Sequence, residues 1–155
     1  MKIGFTGTRD GMTPEQSMWF DTEANMGSFG GENHHGDCVG ADAEFHYYAW
    51  RYGGHIVVHP PTDPRLRAFV HERPTDGDAV LWEPSYILRE PRPYLDRNRD
   101  IVDETDRLIA CPREWPISRE FWADMKGGTW HTIRYAIKQG KPVTVVFANG
   151  STVDG

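Results

Sequence analysis

Three short segments pair glycine with Thr, Arg, Asp or His: Gly7-Thr8-Arg9, Gly36–Asp42 and Gly127–Thr132. Glycine lets a ligand approach the backbone closely, and free N–H groups at a helix start attract anions. Phosphate is the group such segments hold. Glycine after a strand also serves simply to turn the chain, so one loop of this kind decides nothing. Three of them at matching strand ends point to binding. Pro60-Pro61 closes a further strand end without glycine.

Arg97 and Arg99 flank Asn98. A guanidinium offers a planar fork suited to phosphate; the alternative is a solvated helix face paired with Asp96, Asp100 or Asp103. His34, His35, His46, His55 and His59 have no acid or cysteine at ligand spacing, so no metal site is expected. Cys38 precedes a helix start, where a thiol pKa can fall, yet no base accompanies it. Trp115, Trp122 and Trp130 surround the last glycine segment and could stack on a base. Packing or a dimer face is the expected role of the first two.

The elements that must position these residues alternate. Lys2–Thr6, Asn33–Gly36, Ile56–His59, Leu108–Cys111 and Val143–Phe147 read as strands. A helix is expected from Pro14 to about Met26, with Thr13 as its cap and Gln16 closing a capping box. Others are expected over Ala41–Tyr52, Tyr94–Thr105 and Thr129–Gln139. The stretch Thr62–Pro93 is broken by prolines and charges; it receives no element and is expected to be a lid or a dimer element. The tail Ala148–Gly155 is expected to be loose. This alternation predicts an α/β fold: a Rossmann-like, doubly wound, mainly parallel sheet of about five or more strands with helices on both faces. In such sheets ligands bind outside the carboxyl ends of the strands.

Length and composition set the outer bounds. The 155 residues fit one domain, 1–155, able to bury about 70% of its unfolded surface. The net charge of −6 argues against a duplex-binding surface, which needs clustered Lys and Arg. No window is apolar enough to cross a membrane. The start Met1-Lys2-Ile3-Gly4-Phe5 enters a strand-like run without the features of a signal peptide, and two cysteines form no framework. A cytoplasmic location is expected.

Taken together, four motifs resemble the SLOG superfamily: Gly7-Thr8-Arg9, His35-Gly36-Asp37-Cys38-Val39-Gly40-Ala41-Asp42, Asp96-Arg97-Asn98-Arg99-Asp100 and Gly128–Ala136. That superfamily joins the Lonely-guy phosphoribohydrolases, the DprA/Smf DNA-processing proteins and the YspA/YpsA-like families. The sequence is most similar to the YspA-like branch, which is common in bacteria and their phages, and the resemblance spans about Lys2 to Phe147. It implies a Rossmann-like fold that binds nucleotides or nucleotide-derived ligands at the strand ends, and a homodimer or higher homo-oligomer. It also places Arg97 where the phosphoribohydrolases carry their catalytic arginine.

Those enzymes cradle phosphate with a Pro-Gly-Gly-x-Gly-Thr-x-x-Glu run that supplies a catalytic glutamate. Matching Thr132 to its threonine puts Gly128 on a glycine, His131 on the third glycine and Arg134 close to the glutamate. The carboxylate is missing there. Cleaving an N-glycosidic bond needs a group that stabilises the oxocarbenium ion and moves protons, and Arg134 does neither well. If hydrolysis occurs, Asp42, Asp37 or His131 must take over, with Arg97 as a further catalytic candidate.

The resemblance, with this departure, implies a binding module for a nucleotide or nucleotide-derived signal, such as a host defence nucleotide sequestered by a phage. The expected ligand contacts are Gly7, Thr8, Arg9, Gly36, Asp37, Gly40, Ala41, Asp42, Pro60, Arg97, Asn98, Gly127, Gly128, Thr129, Trp130, His131 and Thr132. Arg9 and Arg97 would neutralise phosphate, Asp42 would accept from ribose hydroxyls, and Trp130 or a residue of the unassigned middle would stack on the base. No cofactor or nucleic-acid partner is expected. The alternatives are a phosphoribohydrolase that releases a base from a nucleoside monophosphate, and a non-catalytic interaction protein using the stretch Trp115–Trp130.

Overall fold

The computed structural model describes residues 1–70 and 86–155. Its central strand, β1 (Lys2–Gly7), alternates Ile3 and Phe5 on one face with Gly4 and Thr6 on the other. Gly4 has a packing reason: a Cβ there would lie 2.8 Å from Thr105 Oγ1 and 3.0 Å from Ile101. The bare strand lets a helix lie directly against it.

On one side β1 pairs in parallel with β2 (Glu32–His35), which pairs with β3 (His55–Val58) and then the edge strand β4 (Tyr86–Leu88). On the other side β1 pairs in parallel with β5 (Arg107–Cys111), followed by β6 (Val143–Val146) and an antiparallel edge strand, β7 (Thr152–Asp154). The order is therefore β4-β3-β2-β1-β5-β6-β7. The chain runs outward in both directions from β1, and the order reverses between β1 and β5. Such a reversal opens a crevice at the strand carboxyl ends.

Helices α1 (Pro14–Asn25) and α2 (Ala41–Arg51) cover one face through Phe20, Ala24, Phe45 and Ala49, packed on Phe5, Ile109 and Cys111. Helices α3 (Tyr94–Glu104) and α4 (Gly128–Lys138) cover the other through Val102, Ile133 and Ala136, packed on Leu108, Ala110 and Val145. Alternate residues of β5 thus serve opposite cores, the period-2 pattern of a sheet buried on both faces.

The capping box at α1 forms as the sequence predicts. Thr13 accepts from Gln16 N, and Gln16 Oε1 accepts from Thr13 N at 2.9 Å. Gln16 is also fully buried, and its Nε2 donates to Pro112 O (2.8 Å) and Val146 O (2.9 Å), which fastens α1 to the ends of β5 and β6.

Two outer strands were not foreseen. The tail expected to be loose instead turns at Asn149-Gly150, with Gly150 at φ 80°, and Phe147 N donates to Ser151 O. The returning chain pairs with β6, and Gly155 N donates to Val143 O at 2.7 Å. Asn-Gly after an apolar strand is a hairpin signal in its own right. The unassigned stretch contributes β4 and a short 3-10 turn, Pro64–Leu66. The lid or dimer element expected there lies in part on residues 71–85, outside the described residues. Among the described residues no helix is long and apolar enough to cross a membrane.

Candidate functional site

A cleft of about 460 Å³ opens at the carboxyl ends of β1 and β5. From β1 and its loop come Phe5, Thr6, Gly7, Thr8, Arg9 and Asp10; from the loop after β2, Gly36 and Cys38; and from α2, Asp42. Helix α3 supplies Tyr94, Arg97 and Asn98, and the loop after β5 supplies Pro112, Arg113 and Glu114. The far wall is Lys126 and the segment Gly127–Trp130.

The β1 loop and α2 are locked together by glycine. A Cβ on Gly7 would lie 2.6 Å from Ala41 Cβ, and Ala41 N donates to Thr8 O at 3.0 Å. Gly40 and Ala41 therefore shape the wall from behind and do not themselves line the cleft. Asp37 also faces elsewhere. It is fully buried at φ 55°, its carboxylate accepts from Arg67 Nε (2.9 Å) and Val70 N (3.1 Å), and its role is to pin the segment after β3. Pro60 is likewise outside the cleft, accepting from Arg92 N through its carbonyl.

Arg97 is buried under the cleft. Its Nη1 donates to Gly36 O and His59 O, Nη2 to Cys38 Sγ at 3.2 Å, and Nε to Tyr94 O at 3.2 Å. One guanidinium thus joins α3 to the loops after β2 and β3. At Cys38, where a helix start can lower a thiol pKa, the shift is the opposite: burial pushes the thiol up, with the Asp42 charge adding to it. Desolvation outweighs the helix start.

Asp42 is the buried carboxyl of the wall. Burial raises its carboxyl to about 6, against the opposing pull of Arg97 at 3.9 Å and of the Cys38 N–H at 3.0 Å. Folded Asp42 therefore keeps its proton to about pH 6, whereas the unfolded chain releases it near 3.8. The stability it contributes is complete below the unfolded value and lost as pH rises through the folded one, a cost of about 3 kcal/mol at neutral pH. Asp42→Asn, neutral throughout, should gain on the wild type between pH 4 and 8. Melting temperatures of both proteins across that range check this; parallel profiles would contradict it.

Among the four α-helices of the described residues, α4 differs in its first turn, which holds no acid; like α2 and α3 it has no side-chain cap, its N-cap being Gly127 (φ 99°). By contrast α1 is capped by Thr13 and carries Glu15, α2 carries Asp42 and Glu44, and α3 carries Asp96. The first N–H groups of a helix have no partner within it, and here they belong to cleft-lining residues.

Trp130 does not present its ring to a ligand. It is 1% exposed, packs on Trp122 and Phe147, and donates from Nε1 to Glu114 at 3.0 Å. The accessible aromatic group is Tyr94, 39% exposed, with the Arg9 guanidinium 5.8 Å from its ring centre. Thr132 and His131 lie outside the cleft; Thr132 Oγ1 donates to Gly128 O at 2.8 Å and closes the first turn of α4. Arg134 donates to Trp122 O (3.0 Å) and Met125 O (2.8 Å), holding the segment before α4.

Sequence reasoning missed Tyr94, Lys126 and the run Pro112-Arg113-Glu114. The last was within reach: the rule that ligands sit past strand ends applies to β5 as it does to β1.

No protein-family model matches the chain, and no curated protein matches it in sequence. Solved structures do. The chain is similar to the molybdenum cofactor binding protein from the phototrophic bacterium Rippkaea orientalis, at 20% identity and TM-score 0.61 over 94% of this chain and 76% of that one. It is similar to DNA processing protein A from Helicobacter pylori, whose structure concerns single-stranded DNA binding, at 21% identity and TM-score 0.61 over 94% and 64%. It is similar to the molybdenum cofactor carrier protein from Chlamydomonas reinhardtii, at 18% identity and TM-score 0.52 over 93% and 74%. These likenesses, like the SLOG resemblance, describe a common Rossmann-like fold.

Proposed function

We propose that the chain binds a phosphorylated, nucleotide-derived small molecule in the cleft between β1 and β5, with phosphate against the start of α4. One observation carries this reading: an uncapped, acid-free helix start opens onto the same cleft as the Gly7-Thr8-Arg9 loop, with Arg9, Arg113 and Lys126 among the lining residues. Helix N–H groups and exposed cations together favour an anion. Tyr94 replaces Trp130 as the stacking surface, and the cleft-lining Asn98 and Asp42 would meet hydroxyl groups. Arg97 acts as a positioning residue, since four of its five N–H donors are engaged. A cavity of this size suits a mononucleotide or a cofactor of similar bulk. The likeness to proteins that bind or carry the molybdenum cofactor fits that ligand class.

A hydrolytic reading draws on Asp42, the cleft carboxyl that burial raises to about 6.

Gly128→Asp tests the site. A Cβ at Gly128 meets nothing closer than 3.5 Å, and an acid in the first turn favours the free helix. The variant should therefore fold with an unchanged melting temperature and lose the phosphate site. In a thermal-shift screen of mono-, di- and cyclic nucleotides, a ligand at a hundred times its Kd stabilises the wild type by about 2.7 kcal/mol. Gly128→Asp should show no shift. No shift with any compound, or an equal shift in the variant, would remove the proposal. Chromatography of each hit separates binding from release of a free base.

A further inference from the structure

Away from the cleft, under the edge of the sheet, α3 ends beside two buried histidines. His34 on β2 directs Nδ1 at His59 Nε2, 2.9 Å away. Glu104, the last residue of α3, places Oε2 3.8 Å from the same His34 nitrogen and 4.0 Å from the same His59 nitrogen. None of the three residues lines the cleft.

We propose that His34, His59 and Glu104 form a binding site for a divalent transition metal of the zinc type. The three separations define a point about 2.1 Å from each atom, which is the bond length zinc makes to imidazole nitrogen and carboxylate oxygen. The ring of His34 is already set for the task. Its Nε2 donates to Glu32 Oε1 at 2.7 Å, which leaves Nδ1 with the lone pair. A carboxylate on the far nitrogen is how metal-binding imidazoles are commonly oriented. Both histidines are held rigidly, with side chains 1% and 3% exposed, while Glu104 at 37% leaves a way in for the ion and for solvent as a fourth ligand. Two imidazoles and one carboxylate suit zinc, cobalt or nickel rather than calcium or magnesium.

Two contacts compete with an ion: the hydrogen bond from His59 Nε2 to His34 Nδ1, which yields when the His59 proton moves to its Nδ1, and Arg89, whose Nη2 donates to Glu104 Oε2 at 2.9 Å. An ion must take that oxygen from the guanidinium, which can move to the second carboxylate oxygen or into solvent. The site also touches the frame of the cleft, because the His59 carbonyl accepts from Arg97 Nη1 at 3.3 Å. Sequence spacing alone could not suggest the set, since its acid comes from a distant helix.

The test uses untagged full-length protein and the metals alone. Calorimetry should find one Zn²⁺ per chain at this site, and the Co²⁺ form should show the visible absorption of a four- or five-coordinate ion. Glu104→Ala, a surface change, should weaken Zn²⁺ binding by at least about tenfold without altering the fold. Arg89→Ala should tighten it, and His59→Asn should abolish the Co²⁺ spectrum. Gly128→Asp should bind metal like the wild type, so the two sites fail or stand separately. Absence of stoichiometric Zn²⁺ or Co²⁺ binding, or binding that Glu104→Ala and Arg89→Ala leave unchanged, would overturn the assignment.

Discussion

Arg97→Met should lower the unfolding free energy by about 3 to 5 kcal/mol, the range seen when one partner of a buried ionic cluster is removed. Methionine fills much of the same volume but offers no donor. The carbonyls of Gly36, His59 and Tyr94 then lose a partner in the interior, and Asp42 loses its nearest cation. Each buried carbonyl left unpaired costs about 1 to 3 kcal/mol. Asp42 answers by holding its proton to still higher pH, which caps the loss below that of a stranded charge. For a chain of this length, the melting temperature should fall by about 10 °C. Lysine at 97 should restore little, because one ammonium cannot span carbonyls on three segments. Denaturant unfolding followed by tryptophan fluorescence measures the difference. A loss below about 1 kcal/mol would mean that the guanidinium is a free, ligand-facing cation after all.

The second large effect is expected at Gly40, where backbone conformation and space act together. The residue sits at φ 93° and ψ −128°, and a Cβ there would run into the Arg9 carbonyl and lie 2.7 Å from Thr8 O. Gly40→Ala therefore combines backbone strain with overpacking against main chain that has nowhere to move, about 3 kcal/mol in all. Gly127→Ala provides the control. Gly127 has a similar φ of 99°, yet a Cβ there meets nothing within 4 Å, so only the strain remains. Gly40→Ala should lower the melting temperature at least twice as far as Gly127→Ala. Equal shifts would show that the β1 loop yields to the added methyl group. The displaced atoms belong to Thr8 and Arg9, so ligand binding should weaken in the same variant.

Both predictions concern residues that the sequence marks, though not for the role each one plays. Gly40 reads as one member of a glycine loop that meets a ligand, and it proves to be the contact surface between that loop and α2. Arg97 reads as a phosphate ligand; it lines the cleft, and its guanidinium also ties Gly36, His59, Cys38 and Tyr94 together. A motif reports that residue types are needed near one another. It does not say which side chain faces the ligand and which holds the wall.

The alternation of apolar runs with capped helices was enough to specify a parallel sheet covered on both faces, because period and capping are local properties of the chain. The strand ends followed, and with them Gly7-Thr8-Arg9, which comes straight off β1; of the segment Gly127–Thr132, which opens α4 well beyond the end of β5, only Gly127–Trp130 lines the cleft. What needed the tertiary structure was everything set by approach between distant segments. Trp130 has the composition of a stacking group, but the packing of α4 on β5 and β6 buries it and leaves Tyr94 exposed in its place. Asp42 and Cys38 owe their raised pKa values to burial, a property of the assembled core rather than of any run of sequence. Glu104 lies far along the chain from His34 and His59, and only the return of α3 across the sheet brings their ligand atoms together. Local rules decide which elements form; side-chain direction, burial and long-range contact decide the chemistry.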